Sequence, residues 1–355
     1  MQQHEPLKNN RTHSGAPGWI WLFGFTTVLI LALLPFSTYV AAAPMIIEEW
    51  EMSNTQTGLV FSAFLVGYVV SSLLVVPLTD RFPGQSILLA CSVAASTGNL
   101  LFPLLAQEPV SAALIRVLYG AGVVGIYVPG TRIVSEQFAG PNRGKAVGLY
   151  VTGFYLATSL SLIFSGALLG QFSWRFSYWI LATASAIGPI LAYTLLKKMN
   201  TQDSRTSRST PGLKLAVLRN RAARLMMLGY SLHAWELYLM RMWFAPFLVA
   251  VLVSNGYNQE VASTVGSTTA GFIMTIGAIG PFLGGMLSDR IGRTATASLI
   301  FSISGLCSFG LGWMLEAPWL MVLGVGLVYS FFVGFDSSVY TTAVTELADP
   351  RSLGS

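Results

Sequence analysis

Charged side chains are scarce in this chain of 355 residues: only 10% are Asp, Glu, Lys or Arg, whereas 53% are hydrophobic. Because soluble domains average about 25% charged residues, the composition excludes a soluble globular protein. Cysteine is also scarce, and Cys91 and Cys307 both fall in apolar stretches, so a disulfide framework is not indicated. We therefore expect the lipid bilayer to be the solvent for most of the chain.

Motifs of enzymatic chemistry are missing as well. The sequence contains no GxxxxGK[ST] phosphate loop, no GxSxG nucleophile turn and no Cys/His spacing typical of a metal site. We therefore predict no enzyme, no catalytic residue, no metal and no cofactor. The net charge of +5 comes from basic residues scattered through short loops, so nucleic acid is not an expected partner.

What the sequence has in abundance is apolar runs of about 20 residues, the length at which a helix crosses a hydrocarbon core of about 30 Å. We predict ten spans, near residues 19–43, 58–79, 86–106, 110–136, 145–169, 174–196, 223–253, 261–287, 295–315 and 318–345. The predicted organisation is a cytoplasmic tail (1–18), a six-helix bundle (19–196), a cytoplasmic central loop (197–221) and a second bundle of four helices (222–355).

The basic residues of the loops predict the orientation. With the amino terminus in the cytoplasm, all of them lie on the cytoplasmic side except Arg175, as the positive-inside rule requires. Acidic residues such as Glu49 and Glu108 then lie in external loops. We therefore predict a multi-pass protein of the cell (inner) membrane, surrounded by lipid, with its amino terminus in the cytoplasm.

Short motifs that recur at nearly the same separation along the sequence indicate a duplicated unit, which is the basis of many transporter folds. They are Asp80-Arg81 with Asp289-Arg290, 209 residues later, and Glu136 with Glu346, 210 residues later.

One of these motifs makes a family resemblance specific. The stretch GGMLSDRIGRT, residues 284–294, matches the G-x-x-x-D-R-x-G-R signature of the major facilitator superfamily (MFS). The first copy, VPLTDRFPGQ at 76–85, departs from the signature, with Val76 in the place of the leading glycine. RVLYGAGVVG at 116–125 is similar to the Arg-and-Gly pattern of the family's fourth helix. The chain thus resembles this superfamily over residues 19–355.

The resemblance implies an all-α multi-pass membrane protein with the MFS fold, in which two six-helix halves carry a solute by alternating access. We then expect a six-helix N-terminal bundle and an incomplete C-terminal bundle, ten helices of twelve, in a chain truncated at its carboxy end. It also implies a cytoplasmic gate, formed by Asp80, Arg81, Glu136, Gly285, Asp289, Arg290, Gly292, Arg293 and Glu346.

Ionisable residues inside the predicted spans are candidates for substrate binding or coupling, since each costs about 2.5–3.5 kcal/mol at the centre of a helix. Arg116 either attracts an anionic substrate or takes part in helix packing. Glu236 is either a proton carrier in the cavity or part of a structural network. Asp336 either binds a proton or cation, or caps a gate, or faces a water-filled inner vestibule. The full set, with tyrosines that share helix faces, is Arg116, Tyr127, Tyr230, His233, Glu236, Arg241 and Asp336.

The leading functional prediction is a permease for a small anion, driven by a proton or ion gradient. HAWELY, residues 233–238, is similar to the seventh helix of the cyanate and nitrate permease group. The first alternative is a proton-coupled exporter of drugs or metabolites, which Glu236 and Asp336 favour. The second is a transport-inactive sensor or scaffold with the same fold.

Overall fold

The computed structural model describes residues 18–79, 81–138, 142–197, 221–335 and 339–340. These residues fold into α-helices joined by short loops. The helices are α1 (Trp19–Leu33), α2 (Thr38–Glu49), α3 (Asn54–Leu78), α4 (Gly84–Leu105), α5 (Pro109–Gln137), α6 (Arg143–Leu169), α7 (Trp174–Lys197), α8 (Arg221–Ser254), α9 (Gln259–Gly277), α10 (Gly280–Ile291), α11 (Arg293–Leu311) and α12 (Trp319–Phe335).

The helices have the length and composition of membrane spans. Within the described part of the chain, eight stretches are long and apolar enough to cross a bilayer, and α12 is a shorter apolar helix. The prediction of an all-α multi-pass membrane protein is therefore confirmed. The division into 1–18, 19–196, 197–221 and 222–355 stays a prediction, and residues 198–220 lie outside the described residues.

The first predicted span, 19–43, is broken into two helices. α1 ends at Leu33 and α2 begins at Thr38, and Pro35 lies between them, where it supplies no N–H and disfavours a continuous helix. The backbone N–H of Ser37 donates instead to Ser161 Oγ at 2.8 Å. A neighbouring helix thus satisfies a polar group that lipid could not.

The predicted span 261–287 is also two helices, α9 and α10. α9 ends at Gly277, and α10 begins at Gly280 with proline in its first turn. Proline suits the first turn of a helix because its missing N–H would have no partner there. This second break turns α10 into a separate short helix that carries Asp289 and Arg290.

The helices fall into two groups that contact each other mainly on one side of the molecule. We call α1–α7 the first half and α8–α12 the second half, and the side on which α1 begins the inner side. Among the described residues, the halves pack together mainly through α2 and α6 of the first half and α8 and α9 of the second. α2 and α9 are the outer pieces of the two broken spans. The halves therefore contact each other on the outer side, where a cavity of about 590 Å³, lined by Pro44, Ile47 and Trp243 among others, also lies between them.

On the inner side, the wall formed by α5 and α6 borders a cavity. This inner cavity has a volume of about 810 Å³ and is lined by Tyr127, Thr131, Arg132, Arg143 and Val147, among others. It provides the space through which a solute could reach the middle of the molecule.

The contact between α6 and α9 is a seam of glycines against hydroxyls. A Cβ atom at Gly166 would lie 2.5 Å from Thr268 Oγ1, and one at Gly170 would lie 2.4 Å from Thr264 Oγ1. The hydroxyls of Ser263, Thr264, Ser267 and Thr268 are buried and have no hydrogen-bond partner among the described residues. Only glycine allows the two helices to approach this closely.

Candidate functional site

A single arginine of the second half reaches aromatic rings of the first half. The guanidinium carbon of Arg241, on α8, lies 5.8 Å from the ring centre of Phe154 and 5.2 Å from that of Tyr155, both on α6. It also lies 5.7 Å from the ring of Tyr238, one helical turn earlier on α8. We call these four residues the arginine chamber.

Helical spacing explains this geometry. Tyr238 and Arg241 are three residues apart and share one face of α8, while Phe154 and Tyr155 are neighbours on α6. A cavity of about 30 Å³ lies beside Arg241, lined also by Tyr155, Ser159 and Ser330. This volume is about that of one water molecule.

Arg241 is a buried charge with no counterion in the part of the chain that the structure describes. Its side chain is only 9% exposed, and no hydrogen bond or ion pair links it to another described residue. A ring facing a desolvated cation contributes about 2 kcal/mol, whereas the desolvation of an ion costs several kcal/mol. The arrangement therefore favours an anion as the missing partner.

Tyrosines connect the arginine chamber with the inner cavity. Tyr127, on α5, packs edge-on against Phe154 with 5.4 Å between ring centres, and it also lines the inner cavity. Its hydroxyl lies within electrostatic reach of the hydroxyls of Tyr155, Tyr230 and Tyr238. A solute entering from the inner side would thus meet tyrosines before it met Arg241.

Arg116 lies elsewhere, inside the core of the first half. It is fully buried, and its guanidinium carbon lies 4.9 Å from the ring centre of Tyr39, 5.6 Å from that of Phe61 and 5.8 Å from that of Phe64. None of its three guanidinium nitrogens has a hydrogen bond of normal geometry with a described residue, although the Tyr178 hydroxyl is close enough to interact electrostatically. The structure does not bring Arg116 together with Arg241.

Tyr230 and His233 form an aromatic group on the inner half of α8. Their ring centres are 5.9 Å apart, and Tyr340 lies 6.3 Å from Tyr230 and 6.2 Å from His233. His233 is buried, whereas Tyr230 is half exposed. The two predicted residues therefore lie between the inner side and the arginine chamber.

Glu236 points away from the arginine chamber. It interacts with Tyr329 of α12 and with Cys307 of α11, which places its carboxylate inside the second half. Five positions separate it from Arg241, a rotation of about 140° at 3.6 residues per turn. Its environment is therefore distinct from that of the chamber.

The predicted gate residues are only partly described. Asp80, Asp336 and Glu346 lie outside the described residues. The other acidic members pair locally. Glu136 pairs with Arg132 at 2.9 Å, and Asp289 pairs with Arg293 at 2.7 Å.

The remaining members of the signature form the turn between α10 and α11. Gly292 joins the two helices with φ +87°, a conformation that favours glycine. Arg293 also bonds to the Ser288 hydroxyl. Arg81 and Arg290 are exposed, and Gly285 is half-buried. The gate as a unit stays a prediction.

Sequence reasoning missed the aromatic partners of the chamber. Phe154, Tyr155 and Tyr238 are common apolar-span residues, and no spacing in the sequence links α6 with α8. It also missed the partner of Arg175, the basic residue predicted to lie outside. Arg175 pairs with Glu49 at 2.5 Å, and Trp174 Nε1 donates to the same carboxylate at 2.6 Å.

Comparisons with known proteins agree with this architecture. The family model described as Major Facilitator Superfamily matches residues 17–355. The hexuronate transporter of Bacillus subtilis is 24% identical, with 92% of this chain and 79% of that protein covered. The gallate transporter of Pseudomonas putida is 25% identical, with 92% and 78% covered. A probable sulfoacetate transporter of Cupriavidus necator is 25% identical, with 74% and 64% covered.

Solved structures show the same fold. A crystal structure of a bacterial homolog of the human lysosomal transporter Spinster, in an inward-facing and occupied conformation, superposes with a TM-score of 0.71. It is 19% identical, and the match covers 92% of this chain and 77% of that one. The family and these relatives confirm the prediction of a membrane transporter and not an enzyme.

Proposed function

This chain belongs to the Major Facilitator Superfamily, and we propose that it moves a small organic anion across the membrane by alternating access. The observation that carries the proposal is the buried guanidinium of Arg241 at the junction of the two halves, which has no hydrogen bond or ion pair with a described residue. Because it contacts rings of α6 from its place on α8, an anion bound there would bridge both halves. The names of the relatives support the class, since hexuronate, gallate and sulfoacetate are all organic anions.

Removal of the Arg241 charge should abolish transport. Arg241→Gln keeps a polar side chain but cannot neutralise a carboxylate, and a charge-assisted hydrogen bond contributes about 1.5–3 kcal/mol. We expect the affinity for a transported carboxylate to fall at least 10-fold, measured by equilibrium binding to the purified protein and by uptake into proteoliposomes.

Arg241→Lys and Arg224→Gln are the controls for this experiment. The lysine keeps the charge without the planar fork and should retain part of the binding, while Arg224 is exposed at the start of α8 and should tolerate the change. Normal uptake of carboxylates by Arg241→Gln would contradict an anion site in the chamber.

Coupling to a proton gradient forms the second part of the proposal, and Glu236 is its carrier. A carboxylate among Tyr329, Cys307 and its own helix neighbour His233 can be stabilised only by protonation, by hydrogen bonding or by water. Glu236 lies on the same helix as Arg241, so a change in its protonation can be transmitted through α8 to the anion site.

Glu236→Gln should uncouple transport from the proton gradient. The amide keeps the size of the side chain but cannot titrate, so we expect uptake against a gradient to collapse while exchange of substrate across the membrane persists. Proteoliposome uptake with and without an inward proton gradient measures the difference. Glu316→Gln, at an exposed loop position, is the matched control. Unchanged stimulation by protons in Glu236→Gln would give the carboxylate a structural role.

A further inference from the structure

The hydroxyl side chains around Arg241 are already engaged as donors. Thr158 and Ser159 both donate to the carbonyl oxygen of Tyr155, at 2.9 and 3.1 Å. Ser330 donates to the carbonyl oxygen of Ile273 at 3.1 Å. These three residues line the small cavity beside Arg241. A hydroxyl of the ligand that entered this small cavity would therefore find few free donors there, which carries a desolvation cost.

The small cavity is completed mainly by aliphatic and methionine side chains such as Leu237 and Met240, and the guanidinium of Arg241 itself faces aromatic rings. Phe154, Tyr155 and Tyr238 surround the guanidinium, and Tyr127 extends this surface from Phe154 into the inner cavity. Aromatic rings pair edge-to-face or offset-stacked at 4.5–7 Å between centres, with a gain of about 0.5–1.5 kcal/mol beyond the burial of area. An aromatic ring on the ligand would gain this additional stabilisation from ring pairing, whereas a saturated ring would not.

The volumes of the cavities around Arg241 limit where each part of a ligand can lie. The cavity beside Arg241 measures about 30 Å³ and can admit only a small group, such as one carboxylate oxygen. The inner cavity measures about 810 Å³ and reaches Tyr127. Another cavity, of about 590 Å³, lies on the outer side of Arg241 and is lined by Met240, Trp243 and Phe247, among others. The inner cavity is the one that aromatic rings connect to Arg241, through Tyr127 and Phe154, so we place the body of the ligand there.

Free tyrosine hydroxyls add one further element of recognition. Those of Tyr127, Tyr155 and Tyr238 make no hydrogen bond to another described residue. A phenolic hydroxyl on the ligand can act as donor or acceptor toward such groups. Tyr155 and Tyr238 lie beside Arg241, at the acid end of such a ligand. Tyr127 lies farther toward the inner cavity, where its hydroxyl can meet a hydroxyl on the ligand ring.

On the basis of the proposed anion transport, we infer that the substrates of this chain are aromatic carboxylates of the hydroxybenzoate type. The carboxylate binds Arg241, and the ring packs against Phe154 and Tyr127. The relatives present both kinds of acid, because a hexuronate is a sugar acid and gallate is a phenolic acid. The chamber selects the phenolic kind.

Three acids of similar size test this inference: 4-hydroxybenzoate, cyclohexanecarboxylate and glucuronate. The first keeps the planar ring, the second keeps the carboxylate on a saturated ring, and the third is a polyhydroxylated acid. With the purified protein in detergent, we expect 4-hydroxybenzoate to bind at least 10-fold more tightly than either of the others. Isothermal titration calorimetry measures all three affinities.

Phe154→Leu tests whether the ring of Phe154 produces the preference for an aromatic acid. Leucine keeps an apolar wall but removes the aromatic face, so the preference for 4-hydroxybenzoate over cyclohexanecarboxylate should fall to about 3-fold or less. Phe309→Leu, at a position 70% exposed on α11, removes a ring outside the chamber and should leave the preference unchanged.

The possible results separate this inference from the proposed function. Binding of glucuronate or cyclohexanecarboxylate as tight as that of 4-hydroxybenzoate would overturn the aromatic class, while loss of that binding in Arg241→Gln would still support an anion site. A preference that survives Phe154→Leu unchanged would also overturn it. If no carboxylate binds and Arg241→Gln changes nothing, the inference and the proposed function both fail.

Discussion

Alanine in place of Gly166 should reduce transport at least 10-fold without unfolding the protein. The added Cβ atom would lie 2.5 Å from Thr268 Oγ1 and 2.7 Å from the backbone nitrogen of Thr268, and a backbone atom cannot move away by changing a rotamer. Overpacking of this kind costs about 1–3 kcal/mol. Because the contact joins α6 with α9, in the proposed alternating-access cycle the penalty applies only to the conformation in which these two helices are in contact.

Gly166→Ala should also increase the population of the conformation in which α6 and α9 are apart. A single cysteine at Thr264 reports opening of the outer side through its reaction with a membrane-impermeant maleimide, and Gly166→Ala should accelerate that reaction. Gly148→Ala is the matched control, because it lies on the same helix and its Cβ would have no atom within 4 Å. Normal transport and an unchanged labelling rate in Gly166→Ala would show that the contact between α6 and α9 accommodates the added methyl group.

Methionine in place of Arg116 should raise the stability of the protein and lower its transport. Burial of a charge without a counterion costs several kcal/mol, and the rings of Tyr39, Phe61 and Phe64 return about 0.5–2 kcal/mol each at most. An apolar side chain of similar length avoids the cost. We expect the unfolding midpoint in detergent to rise by several degrees and the transport rate to fall at least 10-fold.

The reasoning behind the loss of transport is that such an unfavourable charge is tolerated only where another conformation, or a bound anion, compensates it. Arg224→Met, at an exposed position near the start of α8, controls for the general effect of removing one positive charge. If Arg116→Met lowers the midpoint, the aromatic cage is a stabilising cation–π site, and no role in the transport cycle needs to be assigned to it.

The sequence predicted the membrane-spanning helices well because they depend on local composition. It did not predict where spans break. Pro35 and Pro281 lie at the two breaks, whereas Pro103, Pro129 and Pro246 lie inside continuous helices. Neighbouring helices decide whether the backbone groups freed by a proline find partners, and that information is tertiary.

The same limit applies to the charged residues. The cost of ionisable groups in a bilayer singled out both Arg116 and Arg241, but the sequence could not tell which faces a cavity. The structure separates them: Arg241 joins the two halves, and Arg116 is enclosed in one of them. The direction of Glu236, toward Tyr329 and away from Arg241, was equally inaccessible to a helical-wheel argument that gives only relative angles.

The buried hydroxyls of α9 link the transport cycle to water. Ser263, Thr264, Ser267 and Thr268 have no hydrogen-bond partner among the described residues when α6 and α9 are in contact, and an unsatisfied buried group costs about 1–3 kcal/mol. In the proposed alternating-access cycle, α6 and α9 separate and each hydroxyl can bind solvent, so every such cycle hydrates and dehydrates the same surface. Osmolytes, which lower the activity of water, therefore favour the closed seam, and the hydration of four side chains becomes part of the driving force for opening.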